Sequence, residues 1–356
     1  MIAALPVPVR LLGLLLLSVL FEAGLRAVRL PAAPLLGPMA AAIILAAFDA
    51  GIHLPRWLFA AAQAVVGCMI AQALNIAILR NVLQDWPLLL SASVLVIAAS
   101  FVLGWGLART RVLPGSTAIW GAAPGAATAM VIMSEAFGAD MRLVAFMQYL
   151  RVVCVAGVAA LVARLSLGNA PVPPEPAWFA PLDMKMFAAT LSVALVGLAS
   201  LRVKALPAGP LLVPILLGAL LADSGTMTIV LPPWLLTGAY AIVGWTVGAR
   251  FSRAILRHAL RALPGVLGSI LFLIALCAGF GQLLTGWLHI NPLTAYLAFS
   301  PGGADSVAII SASTPHVNIG FVMAMQMARF LVVMFTGPPL ARWMAQRFAT
   351  PLPAKA

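Results

Sequence analysis

The sequence predicts an all-α polytopic membrane protein made of two copies of one unit, and three observations carry that prediction. The chain is 63% hydrophobic and only 8% charged, with a mean hydropathy of +1.08, which leaves too few polar groups to cover a soluble particle of this size. Apolar runs as long as a bilayer-crossing helix requires, about 17 to 25 residues, recur along it. The same landmarks also return at a nearly constant spacing in the second half.

Ten apolar segments are candidate spans: 9–27, 34–50, 57–78, 87–108 and 141–164 in the first half, then 182–201, 208–223, 233–252, 263–287 and 317–341. Two further stretches, 115–138 and 292–314, are hydrophobic but carry a Pro-Gly break near the middle. Arg10 ahead of residues 11–21 resembles the start of a signal peptide. We read it as a retained first helix, because 182–201 holds the same place in the second half.

The repeat is read residue by residue. Leu30-Pro31-Ala32-Ala33-Pro34-Leu35-Leu36 returns as Leu206-Pro207-Ala208-Gly209-Pro210-Leu211-Leu212, 176 positions later. Trp57, Gly67, Arg80, Pro87, Gly104, Thr117, Pro124 and Gly125 meet Trp234, Gly244, Arg257, Pro264, Gly281, Thr294, Pro301 and Gly302 at 177. Gln148 and Arg151 meet Gln326 and Arg329 at 178. An order kept with so little drift is a duplication. The expected organisation is a first membrane repeat over 1–168, a Pro-rich linker over 169–181 and a second membrane repeat over 182–356.

Charge then orients the units. The 21 Lys and Arg, in a chain of net charge +12, fall singly or in small clusters between apolar runs, so they read as loop anchors and not as a nucleic-acid face. If the broken segments cross the membrane, twelve spans result and the loop cations divide nine against ten. If each enters and leaves on one side, ten spans remain. Arg10, Arg56, Arg109, Arg111, Arg142, Arg202, Lys204, Arg250, Arg253, Arg257, Arg261, Arg342, Arg347 and Lys355 then lie inside, with Arg26, Arg29, Arg80, Arg164 and Lys185 outside. Only the second division shows the asymmetry that topology requires. The expectation is therefore about ten transmembrane helices plus two re-entrant segments, arranged as an inverted 5+5 repeat. Half-helices of about 11 residues at roughly 1.5 Å each would reach about 16 Å, near the midplane. The protein is expected in a bacterial inner membrane, multi-pass, with both termini cytoplasmic.

The candidate binding residues follow from membrane chemistry. Backbone freed by proline at mid-depth is tolerated only where protein or a watery cavity satisfies it. Such freed amides and half-helix ends can hold ions or carboxylates. This selects Pro124, Gly125 and Thr128 in the first repeat and Ser300, Pro301, Gly302, Gly303, Asp305 and Ser306 in the second. Arg151 and Arg329 fall near the centres of their spans, where a charge costs about 2.5 to 3.5 kcal/mol or more, so each needs partners. Gln148 and Gln326 share a helix face with them, giving a repeated Gln-x-x-Arg that can fork onto a carboxylate or tie down hairpin carbonyls. Asp305, with Thr128 at the matching position, is the expected acidic partner of Arg329 or a group that couples a proton or cation. Glu135 and Asp140 are expected in a solvated loop, and Glu22 pairs with Arg26 one turn on.

The remaining reactive residues exclude other classes. Cys68, Cys154 and Cys277 are odd in number and lie in apolar stretches, which supports neither a disulfide framework nor a metal motif. His53, His258, His289 and His316 are scattered without ligand spacing. No metal, cofactor or catalytic residue is expected.

Pro34-Leu35-Leu36-Gly37-Pro38, Pro301-Gly302-Gly303 and Gln326 with Arg329 resemble the AbrB family of bacterial membrane proteins, over nearly the whole chain. The first repeat departs with Pro124-Gly125-Ala126, and Val213 stands where Gly37 does. The family has been labelled an ammonia monooxygenase and, separately, a regulator of gene expression; it is distinct from the small soluble DNA-binding regulator of the same name. Its architecture is similar to that of cation:proton antiporters and anion transporters, which pair inverted repeats with broken helices. The repeat, the breaks and the buried cations favour a secondary transporter of a small, anionic solute by alternating access, with the bilayer and a small molecule or ion as partners. The alternative is a membrane sensor that acts on gene expression indirectly, without direct nucleic-acid contact. An oxygenase lacks its clustered ligands. Self-association into a homo-oligomer is compatible with either reading.

Overall fold

The computed structural model describes residues 6–30, 32–52, 54–74, 86–110, 113, 116–123, 130, 134, 139–167, 178–179, 181–203, 209–288 and 290–348. The described residues are helical and contain no strand. The first half gives α1 (Val7–Ala27), α2 (Ala33–Ala47), α3 (Arg56–Ala73), α4 (Trp86–Arg109), the short α5 (Thr117–Ala122) and α6 (Met141–Leu167). The second gives α7 (Met184–Ala199), α8 (Gly209–Asp223), α9 (Pro233–Gly248), α10 (Arg253–Ala259), α11 (Leu263–Leu288), α12 (Pro292–Phe299), α13 (Ala304–Ala312) and α14 (Ile319–Phe348). All ten apolar segments form helices. The one helix not anticipated is α10, seven residues rich in arginine.

Five of these helices are long and apolar enough to cross a membrane: α1, α3, most of α6, α7 with its following 3-10 turn, and Leu263–Leu283 within α11. α2, α8 and parts of α4 and α14 are apolar but shorter. The outer helices leave their side chains bare. Leu16 and Leu20 of α1 and Leu195 of α7 are each more than 60% exposed. Exposed leucine in that number is consistent with a multi-pass membrane protein.

The halves interlock through equivalent contacts. The proline-containing helices α2 and α8 each pack on a helix of the other half, α2 on α9 and α8 on α3, while α3 and α9 meet each other. Glycine makes the approach possible. A Cβ at Gly67 would lie 2.7 Å from the Leu211 backbone oxygen, and one at Gly244 would lie 2.5 Å from that of Leu35. These are the residues that the repeat pairs. Further in, α4 meets α14 as α11 meets α6, and α5 packs between α4 and α6 as α12 does between α11 and α14.

The second broken segment folds back on itself. Thr294 Oγ1, at the start of α12, accepts from the backbone N–H of Asn318, which caps α14 by accepting from Phe321 N–H. The first half repeats this with Thr117 and Asp140: the Asp140 N–H donates to Thr117 Oγ1 at 3.0 Å, and its carboxylate caps α6 through the Arg142 and Leu143 amides. Asp140 is thus a helix cap and not the solvated loop residue expected; the acid satisfies amides that have no partner inside the helix. The half-helices are also shorter than expected. α12 has 8 residues and α13 has 9, roughly 12 and 14 Å long. The chain leaves the helix at Ser300 (φ −59°, ψ 135°) because Pro301 disfavours helical backbone in the residue before it.

Candidate functional site

Two glutamine–arginine clasps close over the broken segments. In the first half Gln148 Nε2 of α6 donates to the backbone oxygens of Trp120 (3.1 Å) and Ala123 (2.9 Å). Arg151 Nη1 reaches the Ala122 and Ala123 oxygens at 3.2 and 3.4 Å, and its Nη2 donates to Gln148 Oε1 at 2.7 Å. Those oxygens belong to the last turn of α5, where carbonyls have no partner within the helix. The second half does the same with the equivalent residues. Gln326 Nε2 of α14 donates to Leu297 O (2.9 Å) and Ser300 O (3.2 Å). Arg329 Nη1 donates to Phe299 O (3.4 Å) and Ser300 O (2.7 Å), while Nη2 donates to Gln326 Oε1 and reaches Gly302 O at 3.4 Å. A cation at a helix C-terminus also meets the negative end of its dipole. In both halves the donors of the motif bind carbonyls of the broken segment.

The tip of the second segment rests on the first half. A Cβ on Gly302 would meet Val155 of α6 at 2.7 Å, and Gly303 faces Val152. Ser300 is fully buried and donates to Leu297 O (3.1 Å). Asp305 lies in the first turn of α13, and its Oδ2 accepts from Gln63 Nε2 of α3 at 3.1 Å. The expected pairing of Asp305 with Arg329 does not occur. The arginine spends its donors on the C-terminal carbonyls of α12, on the far side of the break, while the aspartate sits beyond Gly303 on the opposite half-helix. Ser306 is buried beside it.

The chain has relatives of known name. The family described as "Transition state regulatory protein AbrB" matches residues 34–345. The chain belongs to the AbrB family. It is 45% identical over 341 residues to an Escherichia coli (strain K12) protein provisionally named as a regulator, AbrB, covering 95% of this chain and 97% of that one. It is 27% identical over 309 residues to the uncharacterized protein YhjN of Bacillus subtilis (strain 168), covering 81% and 78% respectively.

Within this AbrB-family chain the structure gathers Ser300, Pro301, Gly302, Gly303, Gln326 and Arg329 around one break. It sets Asp305 and Ser306 on the next half-helix, and it places Gln148 and Arg151 at the other clasp. Pro124, Gly125 and Thr128 lie outside the described residues, as do Glu135 and most of the linker. Gln63 was missed. The only signal for it is an amide inside an otherwise apolar span, and α3 has two such residues, Gln63 and Gln72, of which Gln72 binds the Ile229 oxygen. Ser100 was also missed; a serine on an apolar helix rarely stands out, yet this one is buried with its hydroxyl unpartnered. The expected Glu22–Arg26 pair forms at 2.7 Å. The three cysteines are free, and no metal-ligand cluster occurs among the described residues.

Proposed function

We propose that this chain is a secondary transporter that carries a small anionic solute across a bacterial inner membrane by alternating access. The scaffold is an inverted five-plus-five repeat, with both termini cytoplasmic and the broken segments re-entrant. One observation carries the reading: Asn318 returns to hydrogen-bond with Thr294, so 24 residues of apolar chain begin and end at one level. A segment that crossed the bilayer would separate its ends by about 30 Å. The tip between them exposes the amide end of α13 and Asp305 next to residues of the other half, which is where rocking of one repeat against the other would open and close a path.

In this mechanism the two clasps are structural. They let a proline-broken backbone lie inside the bilayer with its carbonyls satisfied. Asp305, bonded to the neutral amide of Gln63 and free of any ion pair among the described residues, is the coupling group for a proton or cation. The step is binding and release, with no bond broken, so no enzyme activity is assigned.

Single cysteines at positions 142 and 316 test the topology. Membrane-impermeant thiol reagents should label 142 from the cytoplasmic side and 316 from outside; labelling of both from one side overturns the inverted arrangement. Uptake of a panel of labelled small carboxylates into proteoliposomes tests the activity. A transported solute should lose its dependence on an imposed ion gradient in Asp305→Asn. Retained dependence would remove Asp305 from the coupling role.

A second reading draws on the regulatory names of the family and of the Escherichia coli relative. Under it the chain senses a solute and acts on gene expression through a partner, without touching nucleic acid. Crosslinking in cells separates the two: a stoichiometric cytosolic partner favours sensing, and its absence favours transport alone.

A further inference from the structure

The short helix α10 carries the densest group of cations in the chain. Arg250, Arg253, Arg257 and Arg261 fall within residues 250–261, and no acid stands among them. Ser252 starts the helix by accepting from the Ile255 N–H. Its apolar side is fixed to the protein: Ala259 is fully buried, Ile255 and Leu256 pack against the core, and the Phe251 ring meets Phe146 of α6 edge to face at 6.1 Å. The other side is open. Arg253, Arg257, Leu260 and Arg261 follow one another along it at helical spacing, and Leu260 keeps helical backbone (φ −53°, ψ −40°). The three arginines are exposed, with Leu260 60% exposed between them. Asp49 lies 3.7 Å from Arg253, and Arg250 covers the Tyr149 ring at 5.3 Å.

The apolar span of α11 begins at Leu263, two residues after Arg261, so this stripe sits where a membrane-crossing helix meets the surface. The repeat does not require such charge. At the positions 177 earlier, Ala73, Ile76 and Gln84 stand in place of Arg250, Arg253 and Arg261, and only Arg257 meets an arginine, Arg80.

We propose that the open side of α10 is a binding surface for anionic phospholipid, with the arginines on headgroup phosphates and Leu260 against the first acyl carbons. Guanidinium presents a planar fork to phosphate oxygens, and a basic cluster beside a span is drawn to a negatively charged leaflet. A soluble polyanion would meet the same cations but leave Leu260 in water, whereas a lipid satisfies both. The surface stands independently of the transport reading.

The test follows thermal unfolding of the full-length chain in nonionic detergent during titration with short-chain phosphatidylglycerol or phosphatidylcholine. Phosphatidylglycerol should raise the midpoint saturably, and phosphatidylcholine should not. Replacing Arg253, Arg257 and Arg261 together by glutamine should raise the half-saturating phosphatidylglycerol concentration roughly a hundredfold, at about fivefold per arginine. Glutamine in place of Arg29, Arg56 and Arg202, three exposed cations elsewhere, should leave it within about twofold. Equal responses to the two lipids, or equal weakening by the two triple variants, overturn the proposal. So does an equally strong response to water-soluble glycerophosphoglycerol or polyphosphate, which would give the stripe to a free phosphodiester or a soluble polyanion. Should the α10 triple variant fail to fold, Arg257→Gln alone decides: a rise of about fivefold supports the site, and an unchanged half-saturation overturns it.

Discussion

The two glutamine–arginine clasps hold equivalent carbonyls with equivalent atoms, yet the space beside them differs. Small residues beside Arg151 leave a cavity of ≈ 20 Å³ open. In the second half the rings of Phe280 and Phe299 meet edge to face at the equivalent positions. The repeated sequence thus carries the same clasp in both halves. The side chains around it differ, so one half has an acid after its break and the other an opening next to its cation. The shared part is architecture, and the unshared parts are where specific chemistry is expected.

The largest predicted effect breaks a clasp. Arg329→Met leaves the carbonyls of Phe299 and Gly302 without this donor inside an apolar medium, with Ser300 O still bonded to Gln326, and the unfolding free energy should fall by roughly 2 to 3 kcal/mol. Arg151→Met takes the guanidinium from the Ala122 and Ala123 carbonyls and should cost a comparable amount. Lysine at either position should rescue only part of the loss, because a single ammonium cannot span carbonyls and glutamine as a planar fork does. Unfolding in detergent, monitored by circular dichroism, measures all three; unchanged stability in either methionine variant would show that its clasp does not hold the broken segment.

The next effect tests whether the halves truly interlock as equivalents. Gly67→Ala and Gly244→Ala each push a methyl group against a backbone oxygen of the partner half and should each cost about 1 to 3 kcal/mol. Similar losses support a two-fold arrangement of α3 with α8 and of α9 with α2. A loss confined to one variant would mean that only one of these crossings is tight.

Thr117→Val and Thr294→Val compare the closures of the two broken segments. Each removes one hydroxyl acceptor, from the Asp140 or the Asn318 amide, without changing shape, for about 1 kcal/mol apiece. Cleavage by an added protease near residue 316 should rise in Thr294→Val if that bond holds the segment's ends together; unchanged cleavage would assign the closure to packing alone.

Much of this comparison is legible in the sequence, because apolar length and repeated landmarks report on the covalent chain itself. The ten apolar helices, the two Pro-Gly breaks and the paired Gln-x-x-Arg follow from patterns a few residues long. What a side chain meets across the fold does not. Asp305 and Arg329 are the natural ionic pair by proximity in the chain and by charge, but the break turns them to opposite sides and the aspartate finds Gln63, 242 positions away. The cavity beside Arg151 is equally invisible in sequence, since it arises from the sizes of residues on four different helices. Asp140 was misread because a capping role depends on the helix that begins after it, and acids in loops and acids at caps look alike until the boundary is known.

The smallest predicted effect lies at a feature that only one half has. Glu22 and Arg26 pair at 2.7 Å on α1, whereas the matching stretch of α7 offers no acid. Glu22→Gln should lower stability by only about 0.3 to 0.5 kcal/mol, the usual worth of a partly exposed pair one helical turn apart. Since salt screens such a pair, the difference from wild type should shrink as ionic strength rises. A loss above about 1 kcal/mol that salt does not reduce would point instead to the close contact between the Glu22 backbone and Gly37 of α2. In that case α1 and α7 would hold their halves by different means, and the equivalence of the repeats would end at their outer helices.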